Sequence, residues 1–196
     1  MNNDREIGDN HNGGDKSDLS YIYFQYSYSM FQYGIRFKND PEFIKDCIQD
    51  VFFKLIKAKK KFGTTENIQF YLFKALKNTI YTKAGKEKAN IKESPYLKFE
   101  PYFSLEEEIL EKENANNKEL ALAKALTELS ERQREIIYLR YECNMEYEQI
   151  CEIMHLKNDS ARKLVFRAIK SLREILESQI KGTLLLFVNL SKKNVI

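Results

Sequence analysis

Apolar residues recur at helical spacing through most of the chain, and the most regular stretch starts after Asp40-Pro41. There Phe43, Ile44, Cys47, Ile48, Val51, Phe52, Leu55 and Ile56 fall on one stripe, with Asp46, Gln49, Asp50 and Lys54 opposite. Asp40 suits the N-cap and Pro41 the first helical position, while Gly63 closes the element. An aromatic-rich segment precedes it, YIYFQYSYSMFQY within 19–37, and predicts a helix whose rings join the core with Tyr hydroxyls at the rim. A third helix is expected over 66–83, burying Leu72, Phe73, Leu76 and Ile80 and presenting Lys74, Lys77 and Asn78. Three helices of this size make a compact bundle.

Periodicity fades between about 86 and 117, where Pro95 and Pro101 are followed by SLEEEILEKENANN, the composition of a flexible acidic linker. A second helical set begins near Lys118 with LALAKALTEL. Ser130-x-x-Gln133 has the form of a capping box, so a new helix is expected over 131–141. A short helix over 146–154 and the turn His155-Leu156-Lys157 lead into a last helix, to about Leu176, whose buried set is Ala161, Leu164, Val165, Ala168, Ile169, Leu172 and Ile175. The first 18 residues are polar and Gly-containing and read as a disordered tail, and 178–196 read as an apolar-basic tail. The expected fold is therefore all-α: two small helical bundles, 19–86 and 118–177, joined by a linker over 87–117, the second bundle being a four-helix unit. Seven Gly and three Pro in 196 residues agree with helices over a turn-rich β protein.

The net charge of +3 is modest, but its distribution is uneven. Lys54–Lys92 holds eleven Lys against two Glu, Glu93–Glu128 nine Glu against four Lys, and Leu156–Arg173 six basic residues against Asp159 alone. Two basic zones separated by an acidic one suit two contacts with one polyanion. Three Cys without a CxxC read as reduced thiols in a cytosol, and the polar N-terminus has no signal-peptide core. The longest apolar run, LLLFV at 184–188, is far shorter than the roughly 20 residues that span a bilayer. A cytoplasmic protein without membrane insertion is expected.

A short helix, a tight turn and a longer basic helix form the pattern of a helix-turn-helix. Arg162, Lys163, Phe166, Arg167 and Lys170 lie off its buried stripe, where they can reach phosphates and base edges. The other basic zone mixes Lys, Lys74 and Lys77 among them, with Phe70, Tyr71, Phe73 and Tyr81: the Lys supply charge for a strand's phosphates, and rings left exposed would offer π-faces for unstacked bases. Catalytic chemistry finds no support: two His, at 11 and 155, no glycine-rich phosphate loop, no zinc-ligand spacing. No enzyme activity, cofactor or metal is expected.

LSERQREIIYLRYECNMEYEQICEIM followed by SARKLVFRAIKSLRE resembles the C-terminal helix-turn-helix domain of bacterial extracytoplasmic-function (ECF) sigma factors of the sigma-70 family. DCIQDVFFKL (46–55) and FYLFKALKNTIY (70–81) resemble the N-terminal domain of the same family, so the likeness covers about 19–83 and 119–176. The resemblance implies a protein that brings core RNA polymerase to promoters, touching the β′ clamp helices and β flap, and it leaves room for an anti-sigma factor. It implies that Asp46, Gln49 and Asp50 dock on the clamp helices. Lys74, Lys77, Asn78 and Tyr81 would then serve the melted minus-ten element, and Ser160, Arg162, Lys163, Phe166, Arg167 and Lys170 the duplex minus-thirty-five element. The sequence departs from the family where His155 replaces the usual turn Gly, Glu146 the usual Ser cap, Leu164 and Ile169 frequent Arg positions, and Thr82 and Gly85 the usual acidic and basic pattern. Two other readings share parts of the pattern: a helix-turn-helix regulator with a non-sigma N-terminal module, and a helical protein-binding adaptor. The acid-amide patch of DCIQDVFFKL favours the sigma reading, since a generic regulator has no need of it.

Overall fold

The computed structural model describes residues 16–57, 68–89, 97–101 and 117–193, with side chains over 19–57, 68–86, 97–101 and 120–179. The described residues are helical with short connections, and they fall into two compact units, 1–98 and 99–196. The expected closing glycine Gly63, residues 1–15 and the acidic run 102–116 lie outside the described residues.

The first unit contains α1 (Lys16–Ile35), α2 (Pro41–Lys57) and α3 (Ile68–Ala89), each packed on the other two. Asp40 starts α2 as its sequence suggests: its carboxylate accepts the Phe43 N–H at 3.1 Å and its carbonyl the Ile44 N–H at 3.1 Å. That backbone N–H, opposed by some desolvation and helped by Lys38 at 3.4 Å, holds the Asp40 carboxyl below its ordinary pKa. The core stripe of α2 is buried from Phe43 to Leu55, and Leu72, Phe73, Leu76 and Ile80 of α3 are fully buried against it. Tyr33 stacks on Phe73 with ring centroids 4.9 Å apart and meets Phe37 edge-on at 5.1 Å. Gly34 lets α1 approach α2 closely, since a Cβ there would stand 2.8 Å from Ile44 Cγ2.

Two expectations fail in this unit. Ile56, assigned to the α2 core stripe, is exposed, as the last turn of the helix runs past Leu55, its last buried residue. The aromatic segment of α1 is only partly core: Met30, Tyr33, Ile35 and Phe37 are buried, but Tyr21, Tyr23, Phe24 and Tyr28 are exposed. Rings occur all round this helix, and only one side of it meets α2 and α3. Phe24, 85% exposed, precedes Tyr33 by two and a half turns and so points the opposite way.

The second unit contains α4 (Asn117–Glu128), α5 (Glu131–Ile137, continuing as a π-turn over Tyr138–Glu142), α6 (Tyr147–Met154) and α7 (Asn158–Lys193). Ala125 and Leu129 pack on Leu172, with Leu126, Ile175 and Leu176 at the edge. Ala161, Val165 and Ala168 are buried, while Leu164 and Ile169 are half-buried. Ser130 precedes α5 as expected, with its N–H donated to the Gln133 side-chain oxygen at 3.0 Å. The backbone of α7 continues well beyond the expected end near Leu176.

Part of the stretch read as linker folds onto this unit. Phe99 is buried, its ring 5.8 Å from Tyr138, and its carbonyl accepts the Arg134 Nε–H at 2.9 Å. Arg134 also donates to the carbonyls of Thr127 (3.0 Å) and Leu129 (2.6 Å) and pairs with Glu100 at 2.8 Å. It thereby satisfies acceptors that the end of a helix leaves open, and pins 99–100 beside them.

Candidate nucleic-acid interface

The α6–α7 pair has the helix-turn-helix form. Glu146 caps α6 from an extended backbone, with its N–H donated to the Gln149 side-chain oxygen at 2.8 Å. The helix ends on His155 in the left-handed region (φ 52°, ψ 54°), and the Leu156 N–H returns to the Cys151 carbonyl at 2.9 Å. This is the turn that usually takes Gly; His accepts it because left-handed backbone is disfavoured but allowed for such residues. Glu146 and His155, both departures from the family pattern, thus keep the turn intact.

Ser160, Arg162, Lys163, Phe166, Arg167 and Lys170 are all exposed on one side of α7, opposite Ala161, Val165, Ala168 and Leu172. Phe166, 70% exposed, stands among the cations. Lys170 carries a loose pair with Glu174 at 3.8 Å. Arg162 is more constrained than its position in the sequence suggests. Its guanidinium carbon lies 4.5 Å from the centroid of the Tyr147 ring, and its Nε–H donates to Asn158 Oδ1 at 2.8 Å. Cys151 is half-buried on α6; desolvation and Glu148 raise its thiol pKa, against the pull of Arg162.

On the first unit, Lys74, Lys77, Asn78 and Tyr81 recur at helical spacing and share one side of α3. Asn78 and Tyr81 are exposed, and the two Lys are half-buried rather than fully presented. Lys77 Nζ lies 5.5 Å from the Phe37 ring and Lys74 Nζ 5.4 Å from Phe70, while Phe37 meets Tyr81 edge-on at 5.9 Å. Of these rings Phe37 is buried and Phe70 half-buried, so the exposed Tyr81 ring beside the two Lys is the π-surface this face offers a single strand.

The acid-amide patch on α2 is less uniform than its sequence suggests. Asp46 and Gln49 are exposed, but Asp50 is half-buried and paired with Lys83 of α3 at 2.9 Å. Burial works against the Lys83 charge, yet the Asp50 hydrogen bond and the neighbouring acidic groups outweigh it, raising its pKa. Beneath them Cys47 is fully buried, and desolvation pushes its thiol up to about 11. Phe53, 55% exposed with Lys57 Nζ 4.6 Å from its ring, lies on the same stripe as Asp46, Gln49 and Asp50. Sequence reasoning missed Phe53, although its spacing from Asp46 and Gln49 could have revealed it. It also missed the tie between Asp50 and Lys83, for which no local signal exists. Among the described residues no cluster of His, Cys, Asp and Glu could hold a metal ion, and no described helix is long and apolar enough to cross a membrane.

Residues 119–172, which include α5, α6 and the basic face of α7, match the family described as "Sigma-70, region 4". No curated protein matches the chain. Among solved structures, the chain is similar to the sigma factor RpoE from Bartonella quintana, solved in complex with the anti-sigma factor NepR: 21% identity, 82% of this chain and 98% of that one covered, TM-score 0.59. It is also similar to CnrH, solved in complex with the cytosolic domain of CnrY: 17% identity, 84% and 91% covered, TM-score 0.51. At these identities the likeness concerns the fold, and it extends over both helical units. Residues 119–172 thus match sigma-70 region 4, and the chain as a whole has the all-α fold of the solved sigma factor RpoE.

Proposed function

We propose that this protein is an ECF-type sigma factor that directs core RNA polymerase to specific promoters and initiates transcription. The observation that carries the reading is a region 4 helix-turn-helix with an intact turn and an exposed basic face, on a chain with a sigma-factor fold. In this reading Ser160, Arg162, Lys163, Phe166, Arg167 and Lys170 contact the duplex minus-thirty-five element. Lys74, Lys77, Asn78 and Tyr81 hold the melted minus-ten strand, and Asp46, Gln49 and Asp50 dock on the polymerase β′ clamp helices. The second unit also meets the β flap. The protein acts in the cytoplasm as a binding protein rather than an enzyme.

The anti-sigma complex of the Bartonella relative supports a similar partner here. The experiment that tests the reading is transcription in vitro with core polymerase, this protein and the DNA upstream of its own gene. Specific initiation that depends on both proteins is expected. A protein that binds duplex DNA without polymerase, and never directs initiation, would instead be a helix-turn-helix regulator.

A further inference from the structure

The exposed basic face of α7 is not a set of independent side chains. At its start Arg162 is held by three residues in series. Its guanidinium carbon lies 4.5 Å from the Tyr147 ring centroid, and its Nε–H donates to Asn158 Oδ1 at 2.8 Å. The same Asn158 donates its Nδ2–H to Glu148 Oε1 at 3.0 Å, which fixes which end of the amide faces the arginine. Tyr147 is itself braced from behind. Arg140 lies 5.0 Å from its centroid, and is anchored by the Met145 carbonyl at 2.7 Å and Glu146 at 3.4 Å.

A long, exposed arginine normally samples many rotamers, and binding must then order it at an entropic cost. Here the Tyr147 ring lies against the guanidinium and the Nε–H is tied to Asn158, and together the two contacts restrict where the side chain can go. What is left for a ligand is the end-on pair of terminal nitrogens, which make no hydrogen bond within the described residues. Two parallel donors in one plane match the O6 and N7 acceptors of guanine in the major groove.

We propose that Tyr147, with Asn158 and Glu148, is a positioning residue that presets Arg162 to read one guanine in the upstream promoter element. The first helix of the motif then does more than brace the second: it sets the donor geometry of its specificity side chain. This rests on the sigma-factor reading above, and goes beyond it by naming the base and the residues that orient its reader.

The test uses the full chain bound to core polymerase and a library of duplexes randomised over the upstream element. Wild type, Arg162→Ala, Tyr147→Ala, Tyr147→Phe and Asn158→Ala are each selected on the same library. Wild type is expected to enrich a G·C pair at one position, and Arg162→Ala to lose roughly tenfold discrimination there. Tyr147→Ala and Asn158→Ala should lose much of the discrimination at that same position and no other. Tyr147→Phe should restore it, because the aromatic ring beside the guanidinium is kept. Asn158 is exposed at the start of α7, so its variant reports on Arg162 even if Tyr147→Ala disturbs folding. Full discrimination in both Tyr147→Ala and Asn158→Ala would overturn the proposal, as would a rise in affinity for all sequences, which would mean the network sequesters Arg162. If the wild-type complex enriches nothing over core polymerase alone, the sigma reading itself fails. If Arg162→Ala changes no position while wild type still selects a site, only the positioning proposal fails.

Discussion

Asp50 is expected to do two jobs, and its substitutions should separate them. It lies on the polar side of α2 with Asp46 and Gln49, the patch proposed to meet polymerase, yet its carboxylate is 2.9 Å from Lys83 Nζ on α3. The Asp50 and Lys83 side chains retain 45% and 30% exposure, so solvent screens the pair and the full Coulomb energy does not apply. Measured pairs of this kind contribute about 0.2–1 kcal/mol, and this one joins two helices, so about 1 kcal/mol is a fair figure. In a unit of this size that corresponds to a fall of about 4–8 °C in melting temperature. Asp50→Ala and Lys83→Ala should therefore destabilise the first unit equally, as read by thermal unfolding. Gln49→Ala should change stability by less than about 0.5 kcal/mol. Affinity for core polymerase, measured well below the transition, should divide the variants differently. Asp50→Ala and Gln49→Ala should weaken it, by about tenfold or more in combination, that is, about 1.4 kcal/mol. Lys83→Ala leaves the carboxylate in place and should bind as well as wild type. If Lys83→Ala loses polymerase as completely as Asp50→Ala, then Asp50 acts only by holding α2 to α3, and the docking assignment for that residue is wrong.

Gly34→Ala would bring a Cβ within 2.8 Å of Ile44 Cγ2, at the closest approach of α1 to α2, and should cost about 1–3 kcal/mol by overpacking despite the better helix propensity of Ala, measured by denaturant unfolding. Cys47 carries a thiol raised from 9.0 to about 11, so the unfolded chain loses its proton first and stability should fall between those pH values, by an amount on the order of 2 kcal/mol; the pH slope in that window should be shallower in Cys47→Ala. Arg134→Ala removes the donors that hold Phe99 and the carbonyls of Thr127 and Leu129, and should destabilise the second unit by about 2–4 kcal/mol, with faster amide exchange at the end of α4. Lys77→Ala with Asn78→Ala should leave polymerase binding intact and slow open-complex formation on duplex promoters; a pre-melted template should largely rescue it, and equal defects on both templates would count against a role in melting.

Much of the fold was legible along the chain because its signals are local. The stripe from Phe43 to Leu55, the Asp40 cap and the Ser130 start each depend on residues within a turn or two of one another, and each appears where expected. The same locality identified the exposed cations of α7, because a period of 3.6 places them opposite Ala161, Val165 and Ala168 whatever that helix packs on. The aromatic run of α1 had no such resolution. With rings on every side, only the positions of α2 and α3 decide that Tyr33 is buried and Phe24 exposed. Pairings between distant residues were closed to sequence for the same reason. Asp50 meets Lys83, Arg134 meets Phe99 and Arg162 meets the Tyr147 ring only after the helices pack, and each pairing alters what a surface residue can do. Helical periodicity establishes which side of an element faces outward, whereas the partner a side chain finds there depends on the neighbouring elements, and that relation is a product of tertiary packing.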